Sequence, residues 1–145
     1  MKNLRMSLLL VAVSLAGHLL FGTSAVLAEQ ASAGGSVTAY YFHGAFRCST
    51  CNKMEQYASE VIQNDFKDAL ASGKLEFKSV NIENKGNEHY VNDYQLYTKT
   101  LILSLVKGGK EIRSKNLDKI WEYVRNKERY ENYVRDEVAA FLKEA

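Results

Sequence analysis

Between residues 37 and 42 the chain is almost continuously apolar, with Val37, Ala39, Tyr40, Tyr41 and Phe42. A run of strand length, rich in β-branched and aromatic residues and lacking clean alternation, predicts a strand buried on both faces. From Cys48 the period changes. Cys51, Met54, Tyr57, Ala58, Val61 and Ile62 recur every three or four residues, which predicts a helix. Phe66, Ala69 and Leu70 extend it past a kink near Asn64, and Gly73 reads as its C-cap. Leu75, Phe77, Val80 and Ile82 predict a second strand, residues 84–87 a turn, and residues 88–94 a short helix with Tyr90, Val91 and Tyr94 on one side. After a connector at 96–99, residues 100–106 form a strand, 107–110 a hairpin turn and 111–113 the return strand, broken by Ser114, Lys115 and Asn116. Leu117, Ile120, Trp121 and Val124 make one amphipathic set. Tyr130, Val134, Val138, Phe141 and Leu142 make another, out of phase across residues 126–129. These are two consecutive helices or one broken helix.

The element order is therefore β-α-β-α-β-β-α, with a further α. It predicts an α/β fold with a mixed central sheet flanked by helices and an extended C-terminal helical segment. Its first strand leads directly into Phe46-Arg47-Cys48-Ser49-Thr50-Cys51, so a C-x-x-C pair lies at the carboxyl end of that strand and the start of a helix. Open α/β sheets place their sites at such ends.

The first residues change the picture of charge and compartment. Lys2 and Arg5 precede an apolar run, 6–21, and small residues end at Val26-Leu27-Ala28. This predicts a secretory signal peptide over 1–28, a flexible lead-in over 29–35 and one domain over 36–145. A second cleavage point follows Ala33. The alternative is an uncleaved membrane anchor, disfavoured by the interruptions at Ser14, Gly17 and His18. The whole chain has 19 Lys and Arg against 17 Asp and Glu. The leader holds two of those bases and no acid, so the remainder is net neutral. Nothing in that balance points to nucleic acid or to an anionic membrane. Export predicts a periplasmic or cell-envelope location, with membrane contact only if the leader stays attached.

Cys48 and Cys51 are the only cysteines. A bridge between them closes almost no loop and constrains the unfolded chain little, so a structural role explains the pair poorly. The motif and its context, residues 40–51, resemble the thioredoxin-like superfamily, and the element order extends the match over roughly 37–142. Within it the chain resembles most the small exported bacterial proteins described as a subunit of a nitrophenyl-compound nitroreductase and found beside arsenic-resistance genes. The resemblance implies a dithiol–disulfide centre with Cys48 as nucleophile and Cys51 as resolving thiol. The residues agree independently. Thiolates attack disulfides, and a helix start together with Arg47 lowers the pKa of Cys48, while Cys51 lies one turn deeper.

The chain departs from the superfamily's pattern in three places. It has no proline, and Lys99 stands where a cis-proline usually faces the dithiol. A cis bond without proline costs about 3 kcal/mol, so a trans bond is expected, with the Lys99 ammonium a candidate modulator of Cys48. Phe42 takes the position of the buried acid that usually serves the resolving thiol, leaving His43 as the nearest titratable group. Ser49 and Thr50 replace the usual Gly-Pro, and as polar residues they are expected to cap the helix.

These observations predict an exported thiol–disulfide oxidoreductase or redox-carrier subunit. Its site residues are Cys48 and Cys51, modulated by Arg47, Lys99 and His43. A redox partner protein or larger reductase complex completes the circuit. No P-loop or G-x-G-x-x-G is present, so the sequence supports no nucleotide or flavin cofactor. The alternative is a soft-metal or metalloid binder, for Cu(I) or trivalent arsenic, on the same dithiol with Met54 or His43 as a further ligand. Met54 also continues the apolar stripe and reads better as core, and two clustered thiols are too few for structural zinc. His89 reads as a surface residue, and Tyr123, Tyr130 and Tyr133 as half-buried helix-face residues.

Overall fold

The computed structural model describes residues 34–145. The signal-peptide reading and most of the lead-in lie outside those residues. Four strands form one sheet in the order β2-β1-β3-β4. They are β1, Ser36–His43; β2, Leu75–Asn81; β3, Thr100–Lys107; and β4, Lys110–Asn116. The first pair is parallel and the other two are antiparallel. A β-α-β unit followed by a helix, a hairpin and a closing helix in this order is the thioredoxin-like fold, as predicted.

The two central strands are buried because the sheet separates two apolar clusters. On one face Val37, Ala39, Tyr41, Leu101, Leu103 and Leu105 pack against α1 (Ser49–Asp65) and α5 (Lys127–Glu144). On the other, Phe42 and Ile102 pack with Leu96, flanked by Tyr40, Tyr90 and Tyr94. Tyr90 lies on the short α3, His89–Asp93. The side chains of β1 therefore do alternate; both faces of the sheet being apolar hid the alternation.

The kink expected near Asn64 is the boundary between α1 and α2, Lys67–Ala71. Gly73 follows with φ +71° and its N–H on Leu70 O, which is the C-cap role expected of it. The C-terminal segment is two helices, α4 (Ile120–Tyr123) and α5, and Asn126 caps the second by accepting from Arg129 N at 3.0 Å.

Two expectations need correction. The return strand does not break at Ser114: β4 runs to Asn116, which pairs with Ile102. Residues 114–116 are polar because β4 is an edge strand; β3 supplies its ladder irrespective of side chain, with a register irregularity at Leu105 and Val106 absorbing the offset. Tyr130 is not a half-buried face residue but fully buried, its hydroxyl donating to Met54 O at 2.7 Å. Tyr123 and Tyr133 do form a half-buried edge-to-face pair. No helix among the described residues is long and apolar enough to cross a membrane.

Candidate functional site: a disulfide at the start of a helix

Strand β1 ends at His43, and the loop Gly44-Ala45-Phe46-Arg47 turns the chain into α1. A Cβ at Gly44 would meet Glu83 Oε1, the free end of an exposed side chain. The N-cap of α1 is Cys48 itself, in extended conformation, and its sulfur accepts the N–H of Cys51 at 3.1 Å. The capping expected of Ser49 and Thr50 is therefore performed by sulfur. Those two residues are the first two of the helix, and the hydroxyl–backbone bonds of a cap are replaced by the Cys48 sulfur one position earlier. Cys48 and Cys51 form a disulfide with Cα atoms 5.0 Å apart.

The two sulfurs differ in access. Cys48 is half-buried, whereas Cys51 is 1 % exposed and packed one turn deeper. A thiolate formed at Cys48 would keep the Cys51 N–H as a charge-assisted donor at the positive end of a 17-residue helix that has no acid in its first turn. Both effects favour the thiolate.

Tyr41, which the sequence reading passed over, lies beneath the pair. It is 0 % exposed and donates its hydroxyl to Cys51 O at 2.7 Å. Burial pushes its phenol up to about 12, with the Arg47 charge opposing, so it is a neutral donor at ordinary pH. Phe42, considered for the position of the usual buried acid, faces the opposite cluster. The period-2 pattern of β1 could have shown this, since Tyr41 shares parity with Val37 and Ala39.

The residues expected to modulate the pair divide into two groups. Arg47 and His43 come together: His43 Nδ1 donates to Gly44 O at 2.8 Å, and His43 Nε2 accepts from Arg47 Nη1 at 3.2 Å. A carbonyl can only accept, which assigns the ring proton to Nδ1. Arg47 Nη2 pairs with the carboxylate of Glu55 on the second turn of α1. Lys99 lies apart from this group. Its ammonium sits 6.0 Å from the centre of the Phe46 ring, and its carbonyl accepts from Trp121 Nε1 at 2.9 Å. Peptide bonds throughout the described residues are trans, including the one before Lys99. Met54 is 0 % exposed within the core, so it offers the dithiol no ligand. His89 is exposed and pairs with Asp93.

Exposed aromatic residues lie on the loop before Cys48 and on the segments that approach that loop. Phe46 is 76 % and Tyr97 93 % exposed, and Trp121 is partly so. Lys99 contacts Phe46 and Trp121 and lines, with Tyr97, His43 and Glu83, a cavity of about 170 Å³.

No protein-family model matches the chain, and no curated protein matches it. Among solved structures it is similar to oxidised thioredoxin O2 from Arabidopsis thaliana, at 17 % identity over 65 % of this chain and 74 % of that one, with a TM-score of 0.41. It is also similar to Fasciola hepatica thioredoxin, at 19 % identity over 63 % and 81 % of the two chains and a TM-score of 0.34. For a Thermus thermophilus thioredoxin the values are 15 %, 62 %, 72 % and 0.36. Similarity at this level says nothing about activity.

Proposed function

We propose that the chain is a thiol–disulfide oxidoreductase or redox carrier that works with a dedicated protein partner. The observation that supports it most is the inequality within the disulfide, with Cys48 reachable at a helix N-cap and Cys51 buried. In the reducing direction the Cys48 thiolate attacks one sulfur of a substrate disulfide, the substrate S–S bond breaks, and one substrate sulfur leaves as a thiolate that takes up a proton. Cys51, losing its proton, then attacks Cys48 Sγ. The mixed disulfide breaks, the second substrate thiol leaves, and the Cys48–Cys51 bond closes. Two electrons and two protons pass to the substrate; the oxidising direction is the reverse.

A protein partner suits the surface. Neither concavity beside the site, about 170 Å³ along Tyr97 and Lys99 and about 300 Å³ along Thr50, Lys53 and Trp121, exceeds the low end of the roughly 300–1,000 Å³ of typical small-molecule sites. Exposed aromatic residues around a reactive centre suit a macromolecular contact instead. Export to the periplasm or cell envelope belongs to the same proposal and rests on the composition of residues 1–28. So does the narrower kinship with nitroreductase-type subunits, which rests on the motif region alone. The soft-ion reading keeps only the two thiols, because Met54 is committed to the core and both ring nitrogens of His43 are hydrogen-bonded to Gly44 and Arg47.

The decisive experiment is trapping. Cys51→Ala is expected to accumulate mixed disulfides through Cys48, and Cys48→Ala to accumulate none. If Cys51→Ala traps no species in cells, exchange chemistry is wrong. Titration in glutathione buffers then separates a reductant from an oxidant.

A further inference from the structure

Arg47 is the nearest guanidinium to the dithiol in sequence, and it is held on two sides. His43 Nε2 accepts from Nη1, and the Glu55 carboxylate from Nη2. Both partners are themselves anchored, His43 by the Gly44 carbonyl and Glu55 by its place on α1. The Arg47 and Glu55 side chains are 28 % and 22 % exposed, so their pairing is screened less than that of a fully exposed pair. Arg47 Nε is the one buried side-chain nitrogen or oxygen among the described residues without a hydrogen-bond partner. Buried donors of this kind are uncommon and costly.

We propose that Glu55 is a positioning residue for the dithiol: acting through Arg47, it draws the guanidinium charge away from Cys48 and so holds the Cys48 thiol less acidic, and the couple more reducing, than the helix terminus and a free arginine would make it. Two features of the site raise the acidity of Cys48, the N–H of Cys51 and the open helix dipole. A free Arg47 would add a third. Paired with Glu55, its charge is locally neutralised, while His43 fixes the plane of the fork without adding a charge. Other charged groups about the site are Lys99 over Phe46, Glu83 against Gly44, and Lys53 and Arg125 around a concavity with Trp121. None of these has a hydrogen bond or ion pair to Arg47 or Glu55. The proposal rests on the dithiol reading above, but its test does not require a partner.

The test uses the full reduced chain and follows iodoacetamide alkylation of Cys48 against pH by mass spectrometry. Glu55→Gln is expected to move the profile about 0.5 pH unit or more toward acid, within the range that a nearby charge produces. It should also make the couple more oxidising in glutathione buffers. Glu55→Asp, which retains the charge one methylene farther from Arg47, should give a smaller shift. In an Arg47→Gln background the Glu55→Gln shift should fall to less than half. No shift, an alkaline shift, an Asp shift as large as that of Gln, or a full shift in the Arg47→Gln background would each overturn the clamp. An alkylation shift with no mixed disulfide from Cys51→Ala would preserve the clamp and remove the exchange reading.

Discussion

At the residue scale, the site depends on side chains whose roles differ from their usual ones. Cysteine is an uncommon N-cap, yet Cys48 sulfur takes the position of a capping oxygen at the helix start. Tyr41 donates to the carbonyl of the buried cysteine, so this site holds its helix by a neutral donor. That choice has a pH consequence. Burial raises Tyr41 to about 12 from an ordinary value near 10, and Tyr133 likewise to about 12. A raised folded-state value means that the native state retains its protons longer than the unfolded chain. The stabilisation is complete below pH 10 and falls as the pH climbs from 10 toward 12. Urea unfolding midpoints should therefore be level between pH 8 and 9.5 and decline above 10. Tyr41→Phe should lower the midpoint at pH 8, by about 1 kcal/mol for the lost hydrogen bond, and flatten part of the alkaline decline. An unchanged alkaline slope in that variant would show that Tyr41 does not contribute.

At the element scale, each helix joins the sheet by a different device. α1 begins at the sulfur cap and is tied to α5 by Tyr130 at its second turn and by Lys127–Glu60 and Arg135–Asp65 farther along. The ion pairs are substantially exposed and contribute little each. The Asn126 cap matters more, because it starts α5 where α4 has just ended and the chain must change direction. Asn126→Ala should cost about 1 kcal/mol, read as a lower urea midpoint with an unchanged m-value. A loss no larger than that of Lys127→Met would show that packing alone positions α5. Most element boundaries were legible from periodicity and turn residues. The length of β4 was not, since an edge strand takes its hydrogen bonds from a neighbour and its polar side chains carry no period.

At the scale of the whole molecule, the sheet is covered unequally. One face carries α1 and α5 over a large cluster; the other carries only the five-residue α3 and an aromatic group about Tyr40, Phe42, Tyr90 and Tyr94. Strands β1 and β3 are paired on both sides, whereas β2 and β4 are edges. Native-state hydrogen exchange should follow that order, slowest in the amides of β1 and β3, faster in β4 and fastest in α3. Protection of α3 equal to that of β1 would contradict the unequal cover. The disulfide follows β1, a strand paired on both sides, while the exposed Phe46 and Tyr97 lie on loops and Trp121 on α4.

Sequence alone determined the order of elements, an α/β fold with a mixed sheet and the place of Cys48 and Cys51 at a strand-to-helix junction. These follow from periodicity, turn chemistry and a motif that are all local along the chain. Only the tertiary structure decided what surrounds the pair. Tyr41 reaches Cys51 because β1 runs beneath α1, ten residues apart in sequence. Arg47 meets Glu55 two helical turns on, and Lys99 meets Phe46 of the loop before α1 and Trp121 of α4. No local pattern encodes those meetings, because each depends on which element the sheet brings against another.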